Sequence, residues 1–201
     1  WGYAPSRQSE GLTFPGKVNY VAKGGNLVAL GVRPTGGMAV AVKHLNTTYM
    51  WDKIRVQGGA YGGGSSFDPF SGNFAFTSYR DPNLVETLDN YDNAAAFLRK
   101  AIGDQDLTRS VIGVIGSVDA YRLPDAKGFT SLLWELMGDT EEARQARREQ
   151  VLGASRQDFT ALADGLDALR SNSEVVVLGS ETAIKAANDE RGDFLKLVKV
   201  L

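Results

Sequence analysis

Apolar residues in the first quarter of the chain occur first in short runs and then with a helical period. The runs at residues 18–21 and 26–30 have the length of strands, and glycine, lysine and proline residues flank them. Between residues 38 and 49, apolar side chains recur at steps of four, three and four, which predicts a helix of about four turns. We expect this helix to end near residues 51–55.

The middle of the chain combines a glycine-rich stretch with a second helical region. Five glycines between Gly58 and Gly64 precede an Asp, Pro, Ser and Gly turn at residues 68–72, which predicts a hairpin of two strands. Asp81, followed by Pro82, predicts a helix start. The apolar stripe behind it comprises Leu84, Leu88, Tyr91, Ala95 and Leu98, and a second helix is expected over residues 107–120.

The C-terminal half predicts three more helices and then a strand, a short helix and a strand. One helix is expected over residues 125–137. Two others are expected to begin at Asp139, with Glu142 three residues on, and at Ser155, with Asp158; both pairs resemble capping boxes. The stripe of the last of these helices is Phe159, Leu162, Leu166 and Leu169. The final elements are expected at residues 175–178, 181–188 and 194–200.

This order of elements predicts an α+β fold. We expect a two-layer domain with a mostly antiparallel sheet and helices packed on one face. Residues 1–16 contain prolines and glycines without periodicity, so they are interpreted as a linker or arm. Residues 17–201 then form one domain, which is the commonest outcome for a segment of this length.

Composition narrows the classes of function. The chain has a net charge of −2 and no dense Lys or Arg block, so nucleic acid is not an expected partner. It has no run of about 18 apolar residues, and neither a membrane span nor a signal peptide is expected. With no cysteine and a single histidine, His44, it cannot build a hydrolytic zinc site alone. Because residue 1 is Trp, we expect a piece of a longer polypeptide.

The glycine-rich stretch is the strongest local feature, and two interpretations of it stay open. Glycine lets the backbone approach a ligand closely, but a bulged strand or tight packing needs the same residue. A phosphate-binding loop would require Gly-Lys-Ser or Gly-Lys-Thr, whereas the nearby Lys53 precedes the glycines. His44 has no second imidazole four residues on, which favours a packed structural histidine over a metal ligand.

Several separated segments form a longer pattern. They are residues 51–55 (Trp-Asp-Lys-Ile-Arg), 58–63 (Gly-Gly-Ala-Tyr-Gly-Gly), 67–68, 78–84, 115–121, 123–128 and 142–149. Together they resemble the last domain of organellar presequence proteases, which are inverzincin metallopeptidases of the pitrilysin and insulysin kind. The resemblance runs from about Gly11 to the C-terminus, so it is far more specific than any single motif.

The resemblance implies a metallopeptidase fold of the LuxS/MPP-like kind, in a clamshell of four related domains that closes around an unfolded peptide. Zinc would be bound by a His-x-x-Glu-His motif of the first domain, so the N-terminal half is the implied partner and this domain holds no metal. Arg55 and Tyr61 match the family's arginine and tyrosine that stabilise the substrate oxyanion. Gly58, Gly59 and Gly62 would leave room for the substrate backbone.

The implied activity is degradation of targeting presequences and other short unfolded peptides in the mitochondrial matrix or plastid stroma. The alternative is an inactive structural or scaffold relative in a processing or respiratory complex. A His-x-x-Glu-His motif upstream of this chain would distinguish the two. A stand-alone nucleotide or phosphate binder is a third possibility, and it would need the lysine that the glycine-rich stretch lacks.

Overall fold

The computed structural model describes residues 8–100 and 102–200. In this described part of the chain, six strands form one sheet: β1 (Glu10–Thr13), β2 (Asn19–Asn26), β3 (Gly62–Phe67), β4 (Asn73–Asp81), β5 (Glu174–Gly179) and β6 (Lys196–Lys199). The helices are α1 (Gly36–Leu45), a π-helix (Asn46–Gln57), α2 (Val85–Asp92), α3 (Ala94–Leu98), α4 (Asp104–Val118), α5 (Pro124–Met137), α6 (Glu141–Leu152), α7 (Arg156–Arg170) and α8 (Glu181–Arg191). Within these residues, no helix is long and apolar enough to span a membrane.

The strands lie in the order β3, β4, β2, β5, β1, β6. The first four strands pair with one another in an antiparallel arrangement, whereas β1 runs parallel to both of its neighbours, β5 and β6. The predicted α+β fold with a mostly antiparallel sheet is therefore confirmed.

The interpretation of residues 1–16 as a linker or arm is wrong for β1. Glu10–Thr13 lies inside the sheet, and Ser9 bonds both flanking segments: its carbonyl accepts from Lys196 N at 3.0 Å and its hydroxyl from Val175 N at 2.9 Å. Four residues are too few to show an alternating pattern, so partners at the far end of the chain define this strand. Residues 1–7 lie outside the described part of the chain.

The two faces of the sheet differ. One face carries Val21, Phe74 and Val177, which are buried beneath the helices, and a side chain at Gly11 would strike Ile184 of α8. The other face, called the open face here, carries Tyr20, Ala22, Ala75, Tyr79 and Val176. Tyr79 is 49 % exposed and Val176 is 40 % exposed. The helices pack on one face as predicted, and the apolar stripes predicted for α2, α3 and α7 are buried in the core.

One strand predicted near the start of the chain is a turn. β2 runs without interruption through Gly24 and Gly25, and residues 27–31 then turn, with the Ala29 N–H donating to Asn26 Oδ1 at 2.9 Å. The interruption expected at Lys23 does not occur because its ammonium group is buried on the helix-covered face in an ion pair with Asp92. A lysine can be buried within a strand when a carboxylate pairs with it, so the strand continues through a position where the sequence pattern indicates its end.

Asp81 is not the N-cap of the following helix. It is the last residue of β4, and its carboxylate accepts from Asn83 N at 2.9 Å and from the Thr87 hydroxyl at 2.7 Å. The cap position of α2 is Leu84, which has no side-chain oxygen. Asp81 thus stabilises the loop between β4 and α2 rather than capping α2.

Of the two predicted capping boxes, one is confirmed. Ser155 and Asp158 form a reciprocal box at the start of α7. At α6 the cap is Thr140, not Asp139, and its hydroxyl accepts from Ala143 N at 3.2 Å. Asp139 is buried and pairs with Arg147 of α6 at 2.6 Å, so its carboxylate binds a guanidinium rather than capping the helix.

Candidate functional site

The helix that leads to the candidate site changes its hydrogen-bond pattern. α1 continues directly into the π-helix, and the Gly58 N–H donates to the Lys53 carbonyl, five residues back, at 3.0 Å. The helix therefore extends to Gln57, beyond the predicted end. π-helical turns are rare, and they occur frequently at functional sites.

The chain reverses between the π-helix and β3. Gly59 has φ +77°, a left-handed conformation that a side chain rarely adopts. A Cβ at Gly58 would lie 2.8 Å from the Ile54 carbonyl oxygen, so a side chain there would collide with the helix end. The Gly58 carbonyl accepts from Asn83 Nδ2 at 2.6 Å. This turn, called the π–β3 junction and comprising residues 54–62, places Tyr61 beside Arg55.

Two further asparagine side chains hold this part of the fold. Asn19 Nδ2 donates to the carbonyls of Asp81 at 3.2 Å and Asn83 at 3.3 Å. Asn46 bonds both backbone groups of Ser65 on edge strand β3, donating to its carbonyl at 2.7 Å and accepting from its N–H at 2.6 Å. Sequence reasoning missed these asparagines, because an asparagine that bonds distant backbone looks the same in sequence as a solvated one.

Arg55 and Tyr61 both project from the surface at this junction. The Arg55 guanidinium carbon lies 4.3 Å from the Trp51 ring centre and 6.0 Å from the Tyr61 ring centre. The Tyr61 ring is 66 % exposed and contacts Tyr79 of the open face at 5.8 Å between centroids. Across the described residues, Arg55 has no ion pair and no side-chain hydrogen bond. The two predicted site residues are thus neighbours, and their polar groups face solvent.

The predicted substrate-binding glycines fall into two groups. Gly62 lies opposite Tyr79, and a Cβ built there would meet no atom within 4 Å. By contrast, a Cβ at the next residue, Gly63, would lie 2.5 Å from Ile54 Cγ2. The conformation of Gly59 and the contacts of Gly58 account for those two residues without a ligand, so Gly62 is the one that borders open space.

The single histidine is a packed residue, as predicted. The His44 ring stacks on Phe97 at 5.6 Å with an interplanar angle of 14°, and it also contacts Phe159. Burial lowers the pKa of His44, and the nearby carboxylate of Asp106 partly opposes that shift. Within residues 8–100 and 102–200, no group of three or more His, Cys, Asp or Glu side chains could hold a metal ion. The donor set of these residues does not fit zinc.

Helix α5 presents apolar side chains to solvent. None of its residues is buried. Leu132 is 53 % exposed and Leu136 is 73 % exposed. The α5 stripe, defined as Phe129, Leu132, Leu133 and Leu136, has the i, i+3, i+4, i+7 spacing of one helix face. Sequence reasoning predicted the helix but not that this face would be exposed.

The attachment of α5 is aromatic. The Arg144 guanidinium of α6 packs on the Trp134 ring of α5, with its central carbon 4.1 Å from the ring centre. A cavity of about 1370 Å³ lies between α5 and the helices α1, α4 and α6. The helix is therefore held beside the body of the domain through a few contacts, with its apolar face outward.

Comparison with solved structures defines the class of fold. The peptidase M16 inactive domain from Pseudomonas fluorescens matches with a TM-score of 0.64 at 16 % identity, covering 89 % of this chain and 45 % of that one. Pitrilysin matches with a TM-score of 0.53 at 11 % identity, covering 96 % of this chain and 22 % of that one. At these identities the likeness shows the fold alone, which is that of M16 peptidase domains.

Comparison of sequences defines the family. Residues 9–181 match the PreP C-terminal domain. Presequence protease 1, chloroplastic/mitochondrial, of Arabidopsis thaliana is 47 % identical over 201 residues, which is 100 % of this chain and 18 % of that protein. Protein HypA of Clostridium perfringens is 32 % identical over 200 residues, which is 99 % of this chain and 20 % of that protein. The chain belongs to the PreP C-terminal domain family and spans about a fifth of these relatives.

Proposed function

We propose that this chain is the C-terminal, non-zinc-binding domain of a zinc metallopeptidase that degrades targeting presequences and other short unfolded peptides. The observation that carries the proposal is the pairing of Arg55 with Tyr61, whose guanidinium carbon and ring centre lie 6.0 Å apart on a backbone fixed by Asn83. Both residues occupy the positions that the family resemblance implies. The name of the Arabidopsis relative, presequence protease, supports the substrate class.

The proposed role of the two side chains is electrostatic. A peptide carbonyl oxygen gains negative charge when the bond is attacked, and fixed donors stabilise that charge better than mobile water does. The Tyr61 hydroxyl and the Arg55 guanidinium are such donors, and the open space beside Gly62 admits a substrate backbone. The zinc ion would be bound by another domain, because the donor set described above does not fit it. The role of this chain is confined to binding the substrate and stabilising the negative charge that develops on the substrate's carbonyl oxygen.

The proposed partner is the zinc-binding N-terminal half of the same polypeptide. Relatives are about five times as long as this chain, so most of their sequence lies outside it. The α5 stripe supplies a surface for that contact, because exposed stripes of this kind mark interaction sites. We propose the mitochondrial matrix or plastid stroma as the location, on the printed name of the Arabidopsis relative.

The second candidate is an inactive structural relative of the same clan. One observation favours it: the Pseudomonas fluorescens structure that matches this fold is described as an inactive domain. A domain without zinc ligands is compatible with both candidates, since an active peptidase of this clan also contains such domains. The discriminating feature is the presence of a His-x-x-Glu-His motif elsewhere in the polypeptide.

The test is steady-state kinetics of Tyr61→Phe and Arg55→Ala in the full-length polypeptide. Tyr61→Phe keeps the ring and removes one donor, so kcat should fall on the order of 10²-fold with KM little changed. Arg55→Ala should raise KM as well, because the guanidinium also attracts the peptide in the ground state.

Matched controls are Tyr121→Phe and Arg109→Ala, which remove the same groups from exposed positions on or near α4. Zinc content and melting temperature should be unchanged in all four variants. If Tyr61→Phe keeps a near-wild-type kcat, the hydroxyl has no catalytic role. A full-length protein with bound peptide but no turnover would favour the structural candidate.

A further inference from the structure

We propose that Trp51 is a positioning residue, whose indole ring holds the Arg55 guanidinium beside Tyr61. The inference rests on the proposed function, since it assigns a role to Trp51 through Arg55. It concerns a residue on the π-helix, four positions before the arginine, that neither the core nor the sheet explains.

The geometry of the pair is close and specific. The Arg55 guanidinium carbon lies 4.3 Å from the Trp51 ring centre, well inside the distance of about 6 Å at which a cation is attracted to an aromatic face. Trp51 is 50 % exposed, although a large indole normally gains most from burial. The exposed indole ring therefore stabilises the Arg55 guanidinium more than it stabilises the hydrophobic core.

The other charged groups of the π-helix are engaged elsewhere. Gln57 Nε2 donates to Asp52 Oδ2 at 2.7 Å, and Lys53 Nζ donates to Gln57 Oε1 at 2.8 Å. Among the described residues Asp52 forms no ion pair with Arg55, although the two are three residues apart in sequence, and its carboxylate accepts from Gln57 instead. The Arg55 guanidinium carbon lies 4.3 Å from the Trp51 ring centre and 6.0 Å from the Tyr61 ring centre, and in the described part of the chain no carboxylate pairs with it.

An aromatic partner suits an arginine that must bind a substrate oxygen. A carboxylate would occupy the N–H donors and cancel the charge, so it would compete with the substrate. An aromatic ring contacts the flat face of the guanidinium and leaves the N–H groups at its edge free. Trp51 can thus restrict the arginine without neutralising it. Tyr61 flanks the guanidinium at 6.0 Å and is itself in contact with Tyr79.

The test is a double-mutant cycle in the full-length polypeptide, comparing wild type, Trp51→Ala, Arg55→Ala and the double variant. We expect Trp51→Ala to lower kcat/KM about tenfold. In the Arg55→Ala background the same change should have no further effect, because a residue that acts through Arg55 has nothing left to position. Trp51→Phe keeps an aromatic face and should recover most of the activity.

A second measurement does not depend on turnover. The Kd of a fluorescently labelled unfolded peptide, measured by anisotropy on the zinc-free protein, should rise in Trp51→Ala and recover in Trp51→Phe. The matched control is Val56→Ala, which shortens a 61 % exposed apolar side chain on the same helix. Val56→Ala should leave both kcat/KM and Kd unchanged.

The outcomes separate the two claims. If Arg55→Ala has wild-type kcat/KM, the proposed function of the arginine fails and so does the role of Trp51. If Arg55→Ala is impaired while Trp51→Ala and Trp51→Phe are not, only the positioning role is overturned. If Trp51→Ala costs the same in both backgrounds, Trp51 acts independently of Arg55, which also overturns it. Should Trp51→Ala fail to fold, Trp51→Phe and Trp51→Leu give the same comparison.

Discussion

The π–β3 junction and helix α5 both present side chains to solvent, but their exposed groups differ in kind. At the junction, Asn83 fixes the backbone and the exposed groups of Arg55 and Tyr61 are hydrogen-bond donors. On α5, the exposed groups are the hydrocarbon side chains of the α5 stripe, and Trp134 supplies much of the attachment. One region has a fixed backbone that presents polar groups, and the other is a lightly attached helix that presents an apolar face.

The contrast separates two uses of a protein surface. Chemistry requires donors held within a fraction of an ångström, so the backbone beneath them must be rigid. Docking requires apolar area that water leaves when a partner arrives, and the helix itself can adjust. A highly exposed side chain therefore indicates chemistry at the π–β3 junction and docking on α5. The substitutions and the pH change below test that distinction.

The largest effect is expected from substituting two adjacent glycines at the start of β3, Gly62 at the end of the π–β3 junction and Gly63 just after it. Gly63→Ala should destabilise the chain by about 1–3 kcal/mol, because the new methyl group strikes Ile54 Cγ2, 2.5 Å away in the core. Gly62→Ala points into open space, so its free energy of unfolding should stay within about 0.5 kcal/mol of wild type. Chemical denaturation measures both.

The variants Gly62→Ala and Gly63→Ala also test whether the substrate backbone contacts Gly62, as proposed above. In the full-length polypeptide, Gly62→Ala should weaken peptide binding while leaving stability intact. If it destabilises the fold as much as Gly63→Ala does, the two glycines serve packing alike. If it binds peptide with unchanged affinity, no substrate backbone approaches that residue.

A smaller effect is expected on α5. The double variant Leu132→Gln with Leu136→Gln removes exposed leucines, so the unfolding free energy of this chain should change by less than about 0.5 kcal/mol. Self-association of the isolated chain, which we expect because the stripe lacks its partner, should weaken on the order of tenfold. Sedimentation equilibrium measures this.

The control for α5 is Val28→Gln, which removes an apolar side chain of 45 % exposure from the turn after β2 rather than from α5. It should leave self-association unchanged. A wild-type chain that is strictly monomeric at high concentration would count against an interface on α5.

The smallest effect is expected from a change of pH, which acts on His44 in the last turn of α1, just before the π-helix. Burial lowers the pKa of His44, so the unfolded chain binds the proton more readily than the folded chain. Stability is therefore full above about pH 6.5, the unfolded value, and declines as the pH falls toward the folded pKa. His44→Phe retains the ring contacts and should show a smaller decline between about pH 7.5 and about pH 5.5.

His44 is the one histidine of the sequence, so the loss of stability in this pH range is expected to begin in α1 and the π-helix, which adjoin it. Hydrogen exchange should show reduced protection there on acidification, and unchanged protection in α5. Equal losses in both regions would mean that the two are not independent.

Sequence patterns predicted the elements whose signals are local. The stripe of α7, with its Ser155 and Asp158 box, could be identified because helical period and capping chemistry lie within a few residues. The hairpin at Asp68 was identifiable for the same reason, and Gly72 has the positive φ of +77° that such a turn requires.

Features that depend on distant partners could not be predicted in this way. The change from α1 to a π-helix leaves the apolar spacing nearly unaltered, so periodicity does not reveal it. Asn19, Asn46 and Asn83 fix the site by bonding backbone up to 64 residues away. Arg55 and Tyr61 were identified by family resemblance, and no pattern in the residues alone indicated that their side chains would meet.

The position of β1 between β5 and β6 has a consequence for how the chain is made. A ribosome delivers Glu10–Thr13 first and its partner β5 some 166 residues later, which takes about 10–30 s at 5–20 residues per second. β2, β3 and β4 can pair in the meantime, since their contacts are closer in sequence. Of the six strands of this sheet, the one that is synthesised first is thus among the last to be incorporated, and this late closure slows folding, as contacts of long sequence separation do. Until then, both edges of β1 remain available to other chains emerging nearby.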